Sequence, residues 1–473
     1  MTSGLAQIKF GTDGWRAIIA DDFTFANVER VAQAYADYLL SQSSEANRRV
    51  VVGYDRRFLS EQFARRSAEV MSGNGFETVM FQEAQPTPVI SWAVKDLKAV
   101  GGIMITASHN PATFNGFKIK APWGGSASPE TTSAVERLVD KTAPKRSAEV
   151  SAASELLEGS INRYQHQIRT YIDLDLIRKA SGRVVVDPMH GSAGTWVESF
   201  LQGGHLEVET IRSFRDPLFG GVNPEPIDQN LGALKSRVIE TKALVGLATD
   251  GDADRVGAVD ENGRTLTMHD VVPMLLLHLS RQRKMSGAVV VTVSQSVLTK
   301  RIANAFGLKV HETPIGFKYI ADLMLKENIL LGAEESGGIG VTGHIPERDG
   351  VLNSLLFLEA IIAAGKTPSE LLRDLHREFG EFYFGRKDIH MEVANGQKFV
   401  GELANNAPST FAGEVVVNVQ TMDGTKLMFK DESWILFRQS GTEPMLRIYA
   451  EATSVAKMQH LLTSGAEQAH SKL

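Results

Sequence analysis

The sequence contains no cysteine among its 473 residues. Disulfide bonds, thiolate metal sites and thiol nucleophiles are therefore excluded. No apolar run approaches the roughly 18 residues of a membrane-spanning helix, and residues 1–10 lack the hydrophobic core of a signal sequence. These absences predict a cytoplasmic protein that does not enter a membrane.

The sequence also lacks a large excess of charge of one sign, since it contains 50 Lys and Arg residues and 56 Asp and Glu residues, which gives a formal net charge of −6. This balance argues against a basic protein that coats nucleic acid. The chain is long enough for about three domains of roughly 150 residues, with two or four as alternatives. We therefore expect a globular enzyme or binding protein.

What is present is a threefold repeat. Three apolar segments begin with three consecutive valines, and β-branched runs of this kind are typical of buried strands. After each run come a short polar turn, a helix-like stretch that stops at glycine, and a second apolar strand. The valines occupy residues 50–52, 184–186 and 289–291, the helix-like stretches 60–71, 193–201 and 296–306, and the second strands 77–81, 206–211 and 308–311. The pattern predicts three β–α–β units with parallel strands.

Each unit contains a later apolar strand that leads into a loop of small and polar residues. The strands span residues 101–106, 244–248 and 329–331, and the loops span 107–111, 250–255 and 334–338. In open α/β sheets, ligands bind outside the carboxyl ends of the strands. Each repeat therefore presents one loop of candidate functional residues where binding is expected.

The C-terminal part follows a different pattern. Strands are predicted over residues 414–420, 434–437 and 446–450, with a hairpin turn at Asp423-Gly424 and a final helix over 455–468. These elements indicate a smaller α+β domain. The four predicted domains are residues 1–150, 151–267, 268–380 and 381–473.

Ser108 is the candidate nucleophile of the first loop. A serine in a turn commonly makes only a local hydrogen bond, so a purely structural role is the alternative. A serine hydroxyl becomes a good nucleophile when a base or a charged site activates it. His109 and Lys118 are close in sequence and are candidates to move the proton.

Asp250, Asp252 and Asp254 alternate along the second loop. Three carboxylates this close repel one another unless a cation binds them, and Mg²⁺ prefers oxygen ligands. An EF-hand is rejected, because Arg255 stands where that loop needs glycine. Two alternatives stay open: a phosphatase with Asp250 as its nucleophile, and a merely solvated acidic loop.

Two further loops carry candidate substrate-binding residues. Glu334 and Ser336 offer acceptors and a donor that suit sugar hydroxyls. In the C-terminal domain a guanidinium, two hydroxyls and a glycine occur together, which suits a phosphate group, although a polar surface loop is the alternative. These residues are Arg438, Ser440, Gly441 and Thr442, and Arg447 and Arg16 are candidates to add positive charge.

Together these loops resemble the motifs of the α-D-phosphohexomutase family, which includes phosphoglucomutase and phosphomannomutase. Residues 106–111 look like its phosphoserine loop, 250–255 like its metal loop, 334–337 like its sugar loop and 438–444 like its phosphate loop. The resemblance extends in order over nearly the whole chain. It implies three similar mixed-sheet α/β/α domains and a smaller C-terminal α+β domain around a central cleft.

The resemblance also implies the reaction: an isomerase that interconverts hexose 1-phosphate and hexose 6-phosphate, with glucose and also mannose as the sugar. Ser108 would carry a phosphoryl group, Mg²⁺ would be the metal, and hexose 1,6-bisphosphate would be the intermediate and activator. The partner is then a small phosphosugar. The implied catalytic residues are Ser108, His109, Lys118 and Arg255, the metal ligands Ser108, Asp250, Asp252 and Asp254, and the substrate-binding residues Arg16, Lys318, Glu334, Ser336, Arg438, Ser440, Gly441, Thr442 and Arg447.

The sugar loop departs from the family pattern at one position. Ala333 stands where a glycine often opens this loop, which bears on the choice of sugar. Glucosamine phosphate is accordingly the alternative substrate, although the Glu-Glu-Ser form is more similar to glucose-handling members. A hydrolase that uses Asp250 and a non-catalytic sugar-phosphate sensor are the alternatives of other classes, and a pure sensor needs no phosphorylatable serine.

Overall fold

A computed structural model describes residues 7–11, 13–42, 48–150, 154–441 and 444–471. The chain divides into two compact units. The first unit comprises residues 1–265, 324–326 and 337–368, and the second comprises residues 266–323, 327–336 and 369–473.

The described residues form both strands and helices. The strands are β1 (Trp15–Ile18), β2 (Arg49–Tyr54), β3 (Glu77–Met80), β4 (Gly101–Ile105), β5 (Phe114–Lys120), β6 (Gly182–Asp187), β7 (Leu206–Thr210), β8 (Val245–Thr249), β9 (Val256–Asp260), β10 (Thr265–Leu266), β11 (Ala288–Thr292), β12 (Val310–Thr313), β13 (Ile329–Ala333), β14 (Ile339–Val341), β15 (Tyr383–His390), β16 (Thr410–Phe411), β17 (Glu414–Gln420), β18 (Thr425–Phe429), β19 (Trp434–Gln439) and β20 (Met445–Ala452). The helices are α1 (Phe25–Gln42), α2 (Ser60–Gly73), α3 (Thr87–Asp96), α4 (Pro129–Leu138), α5 (Ser154–Tyr171), α6 (Leu174–Lys179), α7 (Trp196–Leu201), α8 (Gly232–Thr241), α9 (Met268–Leu277), α10 (Val297–Ala305), α11 (Phe317–Met324), α12 (Gly350–Ala364), α13 (Pro368–Phe379), α14 (Val393–Asn405) and α15 (Val455–His470).

The first sheet has the strand order β1-β5-β4-β2-β3. β2 is parallel to β3 and β4, whereas β5 is antiparallel to both β4 and β1. The three valines of β2 are fully buried, and Val50 and Val52 pack in the hydrophobic core of this domain with residues of α1 and α2. Because β2 and β4 run in the same direction, the loops after them emerge at the same edge of the sheet.

The second sheet has the order β10-β9-β8-β6-β7. β6 is parallel to β7 and β8, and β9 returns antiparallel to β8. The predicted helix of this repeat is shorter than expected and begins only at Trp196. The reason is local, since Gly194 has a φ of +48°, outside the right-handed helical range.

In the second unit, β11 is parallel to β12 and β13. All three valine repeats therefore form the predicted parallel strands. The loop that carries Glu334 follows β13 directly, and the residues 293–296 follow β11. Parallel pairing brings these two loops to one edge of the sheet.

The C-terminal sheet is antiparallel, in the order β15-β20-β19-β18-β17-β16. The predicted hairpin turn joins β17 to β18, where Gly424 has a φ of +92° that favours glycine. Residues of α14 and α15 pack with the sheet in its hydrophobic core. The mixture of an antiparallel sheet and two helices agrees with the α+β prediction.

No single helix in the described parts of the chain is long and apolar enough to cross a membrane. The consecutive helices α12 and α13 reach that length only when they are counted together across a bend. α12 is buried along most of its length.

Candidate active site

Ser108 lies in the loop after β4 and is almost completely buried. Its φ of +53° is unusual for a residue other than glycine. Its N–H donates to Thr106 Oγ1 (2.8 Å), and its carbonyl oxygen accepts from Arg57 Nη2 (2.6 Å). These contacts hold the backbone so that Ser108 Oγ donates to Asp250 Oδ2 at 2.8 Å.

The three aspartates of the 250–255 loop are all fully buried, and oxygens of their carboxylates lie within 4.8 Å of one another. Asp252 Oδ2 accepts from Thr87 Oγ1 (2.7 Å) and from Lys118 Nζ (2.8 Å). Asp252 Oδ1 and Asp254 Oδ1 are buried without a hydrogen-bond partner among the described residues. Buried carboxylate oxygens of this kind fit a hard divalent cation.

The electrostatics of the cluster agree with this fit. Burial, together with the charges of Asp252 and Asp254, raises the pKa of Asp250 well above its usual value. Burial opposes ionisation of Asp252 as well, but Lys118 lowers the pKa of that carboxyl. A cation at the cluster would relieve the repulsion that the three carboxylates now share.

Lys118, on β5, supplies the nearest positive charge. Besides Asp252, its Nζ contacts Asp13 Oδ2 (2.9 Å) and Asp254 Oδ2 (3.3 Å). Burial disfavours the ammonium, yet these three carboxylates together raise the pKa of Lys118 above its ordinary value. Arg348, after β14, also contacts Asp13 (2.7 Å) and Asp254 (2.9 Å) through Nη2. Lys118 is therefore a fixed cation at neutral pH.

His109 is half-buried beside the serine, with Nδ1 at 3.4 Å from Ser108 Oγ. Desolvation, followed by the positive charges of Arg255 and Arg16, lowers the pKa of His109 well below its usual value. The ring is therefore neutral at pH 7 and able to accept a proton.

Arg255 and Arg16 flank the same loops. Arg255 Nη1 lies 3.7 Å from Glu225 Oε1, and the Arg255 N–H donates to Asp250 Oδ1 (3.1 Å). Arg16 Nη1 donates to Asn110 Oδ1 (2.7 Å). Both guanidinium groups lie on half-buried residues next to loops that carry candidate catalytic side chains.

Sequence reasoning missed the residues that support the serine loop. Asp55 and Arg57 form a buried ion pair after β2 (3.2 Å). Thr106 Oγ1 donates to Asp55 Oδ2 (2.6 Å), and Arg57 Nη2 also donates to the Asn110 carbonyl (2.6 Å). Their position at the end of the first valine strand was the only available signal.

A second group was missed as well. Lys120 Nζ and Glu347 Oε2 form a buried ion pair of 2.7 Å, and Ser126 Oγ donates to Asp13 Oδ1 (2.8 Å). Asp13, Glu347 and Arg348 lie far from Lys118 and Lys120 in sequence, so no local pattern indicated them.

In the second unit, the sugar-loop residues follow β13. Glu334 is buried and Ser336 half-buried. Glu335, between them, accepts from Ser294 Oγ (2.7 Å) and Thr292 Oγ1 (3.3 Å) through Oε2. Glu335 thereby connects the loop after β13 to the end of β11.

Lys318 is half-buried near the start of α11, and its Nζ lies 5.0 Å from the centre of the Tyr319 ring. Gly316 directly before this helix has a φ of +135°. The lysine is thus presented at a helix N-terminus by a turn that requires glycine.

The phosphate-loop residues lie at the end of the hairpin formed by β19 and β20. Arg438 and Arg447 are direct neighbours across these two strands. The loop between the strands is closed by Ser440, whose N–H donates to the Met445 carbonyl (2.9 Å). Two arginines that face each other across neighbouring strands, together with backbone N–H groups, suit an anion. Gly441 is exposed, and Thr442 lies outside the described residues.

Comparison with known sequences gives matches in four consecutive parts of the chain. Profiles of the phosphoglucomutase/phosphomannomutase α/β/α domains I, II and III match residues 7–146, 162–263 and 269–379. The profile of the C-terminal domain of the same family matches residues 390–467.

Individual relatives cover almost the whole chain. A phosphoglucomutase/phosphomannomutase of Thermococcus kodakarensis is 31% identical over 456 residues, 96% of this chain and 97% of the relative. A probable phosphoglucosamine mutase of Pyrococcus abyssi is 32% identical over 462 residues, 96% of each chain. A crystal structure from Thermus thermophilus, named "putative phosphomannomutase", has a TM-score of 0.86 at 36% identity, and the match covers 98% of this chain and 99% of that one.

Fold, site and matches together define the class of protein, a phosphohexomutase, which is an isomerase. The predicted fold class, three α/β/α domains with mixed sheets and a smaller C-terminal α+β domain, is confirmed. The chain belongs to the phosphoglucomutase/phosphomannomutase family.

Proposed function

We propose that this chain interconverts hexose 1-phosphate and hexose 6-phosphate through a phosphoserine at Ser108, with glucose as the preferred sugar and mannose as a second substrate. The observation that carries the proposal is the 2.8 Å contact between Ser108 Oγ and Asp250 Oδ2, in a cluster of three buried aspartates. A buried serine beside a cation site is suited to hold and transfer a phosphoryl group.

The substrate-binding roles follow from the donors, acceptors and charges of the side chains. The sugar hydroxyls contact Glu334 and Ser336, whose side chains offer acceptors and a donor. Lys318 and Arg16 add positive charge. The phosphate that the substrate retains binds the phosphate loop, which supplies guanidinium, hydroxyl and backbone N–H donors. This loop contributes Arg438, Ser440, Gly441, Thr442 and Arg447.

In the first transfer, the P–O bond to Ser108 Oγ breaks and a P–O bond to the free sugar hydroxyl forms. The hydroxyl proton passes to His109, which is neutral because of its lowered pKa, and from His109 to the Ser108 Oγ that has lost its phosphoryl group, so that the serine hydroxyl is restored. The product, hexose 1,6-bisphosphate, then transfers its other phosphoryl group to Ser108 Oγ. The P–O bond to that sugar oxygen breaks, the serine proton passes through His109 to the same oxygen, and the isomer is released. Lys118 and Arg255 stay charged and offset negative charge during both transfers.

Asp250, Asp252, Asp254 and the phosphate on Ser108 are the groups that would hold Mg²⁺. When bound, the ion neutralises charge on the phosphoryl group in flight. Asp252 Oδ1 and Asp254 Oδ1, which accept no hydrogen bond from the residues that the structure describes, support this assignment.

A second candidate function is the isomerisation of glucosamine phosphate. The Pyrococcus abyssi relative is named a probable phosphoglucosamine mutase. Its sequence identity to this chain, 32%, is close to the 31% identity of the phosphoglucomutase/phosphomannomutase of Thermococcus kodakarensis. The same loops would serve both reactions, so the sugar must be identified by assay.

The test offers glucose, mannose and glucosamine 1-phosphates separately, with Mg²⁺ and a catalytic amount of hexose 1,6-bisphosphate, and follows 6-phosphate and free phosphate. We expect isomerisation to be fastest with glucose, and to be abolished by Ser108→Ala and by chelation of Mg²⁺. Ser67→Ala is the matched control, because it removes a buried serine hydroxyl on α2 that donates to the Phe63 carbonyl within the same helix.

Free phosphate without isomer would instead indicate hydrolysis at Asp250. Full activity of Ser108→Ala would contradict the phosphoserine. Fastest turnover of glucosamine phosphate would establish the second candidate.

A further inference from the structure

The turn between β17 and β18 approaches the phosphate loop closely. A Cβ atom at Gly424 would lie 2.3 Å from the Phe437 carbonyl oxygen and 3.1 Å from Arg438 Cα. Only glycine fits this approach, and its φ of +92° also favours glycine. The preceding residue, Asp423, is thereby placed beside the Arg438 side chain.

Asp423 uses both of its carboxylate oxygens. Oδ1 accepts from Arg438 Nε at 2.9 Å, and Oδ2 accepts from the Ile315 N–H at 2.9 Å. Ile315 lies in the turn that precedes α11 and Lys318. One carboxylate therefore contacts both the phosphate-loop arginine and the backbone of the loop that presents Lys318.

We propose that Asp423 is a positioning residue for substrate binding, which orients the Arg438 guanidinium toward phosphate and holds the Lys318 loop in the same arrangement. The inference rests on the proposed function, since it assigns Arg438 to the substrate phosphate. It adds a residue outside the phosphate-loop motif, from a different hairpin.

The contact with Asp423 restricts the freedom of a long side chain. An arginine has several rotatable bonds and loses their entropy when it binds a ligand. Asp423 accepts from the Arg438 Nε–H and leaves the two Nη groups as donors for a phosphate. Part of the side-chain entropy is therefore lost when the protein folds and not when the phosphate binds. The site is therefore organised before the substrate arrives.

Asp423 also supports the charge of the arginine. Burial opposes the guanidinium, but the Asp423 carboxylate raises the pKa of Arg438. Glu335 contributes in the same direction. The geometry, and not this shift, carries the assignment, because a fixed charge elsewhere would not orient the planar group.

The experiment compares Asp423→Ala and Asp423→Asn with wild type in isomerisation and in equilibrium binding of inorganic phosphate. Loss of a charge-assisted hydrogen bond predicts a rise of about 10- to 100-fold in KM and in the phosphate dissociation constant for Asp423→Ala. We expect kcat to change by less than about threefold, since Asp423 does not touch the reacting atoms. Asp423→Asn, which keeps an acceptor oxygen, should show a smaller rise.

Asp431→Ala is the matched control. Asp431 lies in the turn between β18 and β19 of the same sheet and pairs with Lys457 (2.9 Å) instead of Arg438. Its KM should equal that of wild type. A purely structural role for Asp423 would lower kcat or the melting temperature and leave phosphate affinity unchanged, and this result would overturn the inference.

The two proposals fail in different ways. If wild type isomerises no hexose phosphate, the proposed function is wrong, and phosphate binding still decides the role of Asp423. Weakened phosphate binding in both Asp423 variants, but not in Asp431→Ala, would support positioning. Equal phosphate binding in all four proteins would refute it.

Discussion

At the residue scale, the candidate active site is a balance of buried charges. Asp252 and Asp254 are fully buried, and Lys118 is only 1% exposed. Lys118 contacts both carboxylates and Asp13, while Arg348 contacts Asp13 and Asp254. Removing Lys118 would leave Asp252 buried without this cation, while Asp13 and Asp254 would keep their contacts with Arg348, and such a loss costs more than the loss of a surface ion pair.

Lys118→Met tests this balance. In the presence of a chelator, we expect the free energy of unfolding to fall by about 3–5 kcal/mol, because Asp13, Asp252 and Asp254 lose their shared cation. Urea denaturation gives the measurement. The control is Lys95→Met, an exposed lysine of α3 in the same domain, which should change stability by less than about 0.5 kcal/mol. Equal stability of the two variants would argue against a structural role for the Lys118 charge.

At the element scale, the site depends on close approach between loops at the ends of strands. The loop after β8 lies against the loop after β4, so that a Cβ atom at Gly251 would be 2.5 Å from the Ser108 carbonyl oxygen. The same carbonyl accepts from Arg57, which anchors the serine loop from β2. The ends of β2, β4 and β8 therefore determine the distance between Ser108 and Asp250.

Gly251→Ala should consequently separate the two loops. We expect isomerase activity to fall by more than about tenfold, because a backbone shift of the order of 1 Å displaces the serine from Asp250. Steady-state kinetics and the Mg²⁺ concentration for half-maximal activity measure the effect. Gly232→Ala is the control, since in the described part of the chain no atom beyond the neighbouring residues and the backbone of α8 lies within 4 Å of a Cβ atom at that position. A Gly251→Ala enzyme with wild-type kinetics would show that the approach tolerates a methyl group.

At the scale of the whole molecule, folding brings one lysine into surroundings that disfavour its charge. Lys426, on β18, is buried, donates to the Val293 carbonyl (2.6 Å), and its Nζ lies 4.1 Å from the centre of the Trp434 ring. Burial, with a smaller effect of Lys300, lowers the pKa of Lys426 from 10.5 to about 7, and Glu312 only partly opposes this. The unfolded chain holds its proton up to the ordinary lysine range.

This difference links stability to pH. Between about pH 7 and pH 10.5 the unfolded state binds more protons at Lys426 than the folded state, so its contribution to the free energy of unfolding rises with pH. We expect Lys426→Met to be most stabilised relative to wild type near pH 7 and to lose this advantage toward pH 10. Denaturant unfolding at several pH values measures it.

The control for this prediction is Lys430→Met, an exposed lysine just after the same strand. Its difference from wild type should not vary over this range. Parallel pH profiles for Lys426→Met and wild type would mean that the buried lysine keeps its charge.

The strands, the loops that follow them and the residue types in those loops could be predicted from the local sequence. Three valine runs predict the parallel strands because side-chain periodicity and β-branching act locally. The Asp250, Asp252 and Asp254 spacing likewise indicates a cation site without knowledge of the fold, because neighbouring carboxylates repel one another wherever the chain places them.

Which side chains support those loops depends on three-dimensional packing and could not be predicted from the local sequence. Arg348 reaches Asp13 across 335 positions of sequence, Lys120 reaches Glu347 across 227, and Ile315 reaches Asp423 across 108. No periodicity spans such separations. These pairings arise because packing brings the strand ends together, and the burial that results makes each charge require a partner.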